Sequence, residues 1–107
     1  MDARTGSAVR IEGLSEVVLH VRDADAALAF YRDLLGLELV SPPGAPGPIF
    51  LRAGAATPGL PAWLVLVPLP ADAAPFAPPR ALHHLALAIP AGTTEAAASA
   101  LERAGRT

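Results

Sequence analysis

The stretch VVLHVRDADAALAFYRDLLGLELV, residues 17–40, decides how this chain is read. It opens in a run of β-branched and aliphatic residues, Leu14 to Val21 (LSEVVLHV), which reads as a strand. Asp23 or Asp25 then supplies a carboxylate that can accept the free N–H groups of a first helical turn. Ala26 to Leu35 consists of good helix formers, with Ala27, Tyr31 and Leu34 or Leu35 on one stripe. Tyr31, with apolar neighbours, belongs to the core on this reading. Gly36 stands where a helix C-cap glycine belongs, and Leu37 to Val40 reads as a short strand.

Working outward, all 12 prolines lie after residue 40, so regular structure is densest before that point. Pro42 to Pro48 is a Pro/Gly loop, Ile49 to Ala53 a strand, Gly54 to Pro61 a turn, and Trp63 to Val67 another strand. Leu69 to Arg80 is Pro- and Ala-rich with little periodicity and reads as a linker. Leu82 to Ile89 (LHHLALAI) returns to strand, and Thr94 to Ala104 to helix, with Gly105 as C-cap. The domain plan is a tail over 1–10, a first unit over 11–69, a linker over 70–81 and the start of a second unit over 82–107.

The bulk properties bound the function. The chain has 107 residues, 52% hydrophobic and 17% charged, enough for one packed domain. A net charge of −2, with eight scattered basic residues that are all arginine, argues against nucleic acid as the main partner. There is no cysteine, which removes disulfides, thiolate metal sites and a cysteine nucleophile. Residues 1–7 are polar, unlike a signal peptide, and the longest apolar run, Ala62 to Val67, is far below the ~20 residues of a membrane span. The expectation is a cytoplasmic protein with neither membrane nor nucleic acid as partner.

Glu16 to Gly36 and His84 to Gly105 are self-similar: aliphatic strand, polar cap, Ala/Leu helix, closing glycine. Strand residues alternate faces. Val17, Leu19 and Val21 share one face, as do Leu85, Leu87 and Ile89 in the second copy; these uniformly aliphatic faces should lie under helices. The opposite faces combine small residues with Glu16, His20 and His84, the make-up of a cavity wall.

At this point the residues carry a family likeness. Val21, Asp23, Ala27, Phe30, Tyr31, Leu35, Gly36 and Leu37 match an alternating strand ending V-x-D followed by A-x-x-FY-x-x-x-LGL. This resembles the vicinal-oxygen-chelate superfamily, the glyoxalase, bleomycin-resistance and extradiol-dioxygenase group. LHHLALAIP resembles the strand that opens its second βαβββ module. The likeness implies an α+β fold: βαβββ modules forming a curved mixed sheet, helices on the outer face, and the second module incomplete in this chain.

The resemblance also implies a metal site. The family's ligands commonly start the first strand of each module, which here gives Glu16 and His84, beside a further position near Val65, which cannot ligate. The usual first ligand is His or Gln, and the usual last one is a Glu on a strand beyond Thr107. Three accounts stand: a truncated product of a longer frame, taken first; a partner chain that supplies the missing strands; or a site without metal. His20 lies four residues from Glu16, roughly 13 Å along a strand, so the two cannot readily share one ion. His20, Phe50, Arg52, Trp63 and Val65 are candidates for substrate binding, and His83 has helix-side parity.

The implied function is a divalent-metal-dependent enzyme (Fe, Zn, Mn, Ni or Co) acting on a small substrate with vicinal oxygens, of lyase, isomerase or dioxygenase type. The alternative is a metal-free protein of the same fold that binds a small, antibiotic-type molecule. A third account is a module that acts through assembly. A homodimer is expected in each case, and the composition suggests a GC-rich bacterial source.

Overall fold

The computed structural model describes residues 12–75 and 85–106. Two compact units divide the chain, one up to Pro70 and one from Ala71. The expected tail over 1–10, residues 76–81 of the expected linker, and both His83 and His84 lie outside the described residues.

In the first unit, strand β1 (Glu16–Val21) leads into helix α1 (Ala24–Leu28). Asp23 starts the helix, its Oδ1 accepting the Ala26 N–H at 3.0 Å. The helix opens two residues earlier than its apolar stripe suggests, because the cap comes from the first of the two aspartates. It then continues as a π-helical segment, Ala29–Leu34, rather than as regular α-helix to Leu35. The Leu35 N–H reaches back five residues to the Phe30 carbonyl at 2.9 Å, the wider pairing of a π turn. Phe30 and Tyr31 sit in this segment with their rings edge to face, 5.0 Å apart. Gly36, at φ 80°, takes the left-handed conformation that turns the chain out of the helix.

Three strands follow: β2 (Glu38–Leu39), β3 (Ile49–Thr57) and β4 (Leu60–Pro68). The expected turn over Gly54 to Pro61 is much tighter in the structure. Irregular register on either side of Ala55, with Gly54 at φ 76°, absorbs the departure from regular pairing, so Ala55 and Thr57 still face partners on β4. The reversal is confined to Pro58 and Gly59, the latter at φ 82°. Proline followed by a positive-φ glycine is the residue pair of a type II turn.

The strands form one mixed, curved sheet in the order β1-β4-β3-β2. β1 lies parallel to β4, and the other two pairings are antiparallel. The parallel contact requires a crossover, and α1 with its π extension provides it. This is a βαβββ module. Val17, Leu19 and Val21 of β1 are half-buried and align with Leu64, Leu66 and Pro68 of β4. Leu51, Leu64 and Leu66 are almost fully buried and form the core on this side of the sheet. Burying each such side chain stabilises the fold by about 1.5–3 kcal/mol.

The second unit contains α2 (Thr94–Arg103). Thr93 precedes it, but its hydroxyl donates to the Pro90 carbonyl at 2.6 Å instead of capping the helix. Gly105, at φ 76°, ends it, and the Arg106 N–H returns to the Leu101 carbonyl at 2.8 Å. Residues 85–90 carry no strand, contrary to the aliphatic alternation of LALAI. A strand exists only as part of a ladder, and no strand stands among the described residues of this unit to pair with it.

Candidate functional site

The sheet's second face, opposite the leucine core, gathers the candidate residues of the first unit. Register decides this, since residues opposite one another on neighbouring strands point the same way. Glu16 pairs with Trp63, and Trp63 with Arg52; Arg52 in turn faces Glu38. One row across four strands therefore reads Glu38, Arg52, Trp63, Glu16. The next row reads Phe50, Val65, Val18, and Val40 extends it by donating its N–H to the Phe50 carbonyl at 2.9 Å. His20, opposite Val67, ends the face. Glu16, His20, Phe50, Arg52, Trp63 and Val65 thus share one surface.

The chemistry of this surface is graded. Its middle row is apolar: Val65 is buried beneath its neighbours, while Val18 and Val40 remain 52% and 44% exposed. Phe50 and Trp63 meet edge to face with centroids 5.9 Å apart, an arrangement that favours the ring quadrupoles. The Arg52 guanidinium carbon stands 5.2 Å from the centre of the Trp63 ring, and Arg52 Nε donates to Glu38 Oε1 at 3.1 Å. Arg52 is therefore held over the indole from one side by a carboxylate. Such an exposed pair contributes little to stability, but it orients the arginine.

Glu16 and His20 are both exposed. No group of three or more His, Cys, Asp or Glu stands close enough to hold a metal among the described residues. Among the described residues Glu16 has no second donor beside it on this face. Trp63 and Val18 cannot ligate, and Glu38 lies three strands away, roughly 14 Å at the usual spacing. The donor set of the described residues does not fit a divalent ion. Ala86 and Ala88, expected on the same cavity wall, belong to the second unit and are not in a strand.

Sequence reasoning missed two members of the face. Glu38 lies within the alternation LGLELV, and its charge between two leucines marks it as outward-facing, but only the register puts it opposite Arg52. Val40 follows by the same parity. It also missed a cleft of about 650 Å³ on the other side of the sheet, between α1 and the Pro/Gly loop 41–48. That cleft shares none of the candidate residues above.

No curated protein matches the chain closely enough to lend it an activity. The sequence model of the Glyoxalase/Bleomycin resistance protein/Dioxygenase superfamily matches residues 13–107. A parallel β1–β4 contact, the 1-4-3-2 strand order and this extended match agree, and the chain belongs to the Glyoxalase/Bleomycin resistance protein/Dioxygenase superfamily.

Proposed function

We propose that this chain binds a small, flat, largely apolar molecule on the sheet face built by Val18, Phe50, Trp63 and Val65. One observation carries the reading. Two aromatic rings stand edge to face beside an exposed valine row, with an oriented guanidinium at the rim. An apolar floor with few polar groups is the usual make-up of a small-molecule site. The Arg52–Glu38 pair offers donors and an acceptor to a polar substituent on the ligand.

Trp63 is the only tryptophan, so its emission reports on this face alone. Titration with 2-naphthol should quench it saturably. Phe50→Ala should weaken binding about tenfold, the scale of one lost aromatic contact. Quenching that never saturates, or that Phe50→Ala leaves unchanged, overturns the proposal.

A second reading is favoured by the place of Glu16 at the head of β1, where the family resemblance expects a metal ligand. It requires His84, and it makes the protein a metal-dependent enzyme for substrates with vicinal oxygens. Elemental analysis of protein offered Fe(II), Zn, Mn, Ni and Co tests it. Near-stoichiometric metal, lost in both Glu16→Ala and His84→Ala, supports the reading, and a metal-free wild type overturns it. For either reading we expect a homodimer, because β1 and β2 form the two edges of the sheet and edges invite pairing. Sedimentation at twice 10.9 kDa checks this, and a stable monomer removes it. No helix among the described residues is long and apolar enough to cross a membrane.

A further inference from the structure

The cleft on the helix side of the sheet is formed by the first unit alone. Ala24 and Leu28 of α1, Leu39 and Ile49 of the sheet, and loop residues 41–47 line it, with Asp25 and Arg32 among its polar groups. Its volume of about 650 Å³ lies in the range of ordinary small-molecule sites, roughly 300–1,000 Å³. The loop is tied at its start, where Ser41 Oγ accepts the Phe50 N–H at 3.0 Å. Gly44 and Gly47, at φ 72° and 94°, bend it in ways other residues rarely adopt.

Two independent features set the charge that this cleft would accept. The first is the loop's composition. SPPGAPGP has eight carbonyls but only four N–H groups, because proline has none. One of those four, on Ala45, is already turned to the Pro42 carbonyl at 3.3 Å. The loop therefore carries more acceptors than donors, which favours a ligand that donates.

The second is the state of the charged side chains. Arg32 is held by Asp33 through two contacts, Nε to Oδ1 at 2.7 Å and Nη2 to Oδ2 at 3.3 Å. Asp33 offsets the charge of this guanidinium, so Arg32 attracts a second carboxylate less strongly than a lone arginine would. Asp25 is exposed and makes no ion pair within 4 Å among the described residues; its charge reaches Arg32 only at longer range and more weakly than that of Asp33.

We propose that the cleft between α1 and the loop 41–48 is a second binding site, which takes a small organic cation with an apolar body. The apolar body packs against Leu28, Leu39 and Ile49, and its ammonium group meets Asp25 and the loop carbonyls. The site does not depend on the sheet face, which lies on the other side of β2, β3 and β4.

Three phenyl compounds of similar size and different charge form the test: 2-phenylethylammonium, 2-phenylethanol and 3-phenylpropanoate. Each is titrated into the ¹⁵N-labelled full chain and followed by amide chemical shifts. The ammonium compound should give saturable shifts at residues 24–32 and 44–49, about threefold to fivefold tighter than the alcohol, with the carboxylate weakest. Asp25→Asn should abolish the preference over the alcohol, and Asp25→Glu should keep it. Equal binding of all three, tighter carboxylate binding, or no saturation overturns the proposal. Shifts confined to Val18, Trp63 and Val65 also overturn it, and such shifts would support the sheet-face site instead.

Discussion

Asp23 holds the first turn of α1 through one hydrogen bond to the Ala26 N–H, and Ala27 N–H donates to its carbonyl at 3.0 Å. Replacing Asp23 with Ala should cost about 1 kcal/mol, read as a lower urea midpoint with unchanged slope. Gly13 is constrained differently, by space. A Cβ there would lie 2.8 Å from the Ala56 carbonyl oxygen, and backbone cannot step aside as a flexible side chain can. Gly13→Ala should destabilise by about 1–3 kcal/mol in the same measurement. Arg32 and Asp33 allow a pH prediction. The hydrogen bond from Arg32, and secondarily its charge, hold the Asp33 carboxyl below the usual carboxylate range. A lowered pKa in the folded state stabilises it at pH above the ordinary carboxylate value. That contribution is lost as pH falls through the lowered one. Asp33 is exposed, so the effect is small and screened by salt. Asp33→Asn should flatten the acid limb of the stability curve slightly at low salt and leave it unchanged at about 1 M NaCl.

Elements depend on how these local choices combine. The reversal between β3 and β4 rests on Gly59, whose φ of 82° places any Cβ in the disfavoured left-handed region. Gly59→Ala should cost about 1–2 kcal/mol and shift the amide resonances of both strand ends. The strands themselves are held by the leucine face. Leu51, Leu64 and Leu66 come from the two central strands and are almost fully buried, so Leu66→Ala should cost about 2–5 kcal/mol. Element types were largely legible before the fold was in view: β1, α1, β2, β3, β4 and α2 each follow from alternation, cap or helix formers. Lengths were less so. The β3–β4 hairpin is longer than its alternation suggests, because irregular pairing around Gly54 lets small residues stay in the ladder. The π-helical turn after Leu28 has no distinct pattern in Ala29–Leu34. Residues 85–90 show the reverse error, strand-like in sequence without a ladder.

Across the molecule, the two faces of one sheet do different work. The leucine face carries the buried core and the cleft beside α1, and the other keeps Val18 and Val40 open beside Phe50 and Trp63. Hydrogen exchange should follow this division, with the slowest amides of the first unit at Leu51, Leu64 and Leu66 in the two central strands. Faster exchange there than at the edge residues Val18 and Leu39 would contradict this account of the core.

The sequence alone determined the family, the order of strands and helix in the first unit and the face to which each β1 residue belongs. These follow from short-range physics: alternation along a strand, a carboxylate ahead of a helix, a glycine after it. It also marked Glu16, His20, Phe50, Arg52, Trp63 and Val65 as candidates. Only the tertiary structure decided that these six lie on one surface, because that depends on register between strands far apart in the chain. The same long-range pairing set Glu38 against Arg52, leaned Arg52 over Trp63, and opened the cleft between α1 and the Pro/Gly loop. No local pattern carries such contacts, since each is made by residues whose neighbours in space are strangers in sequence.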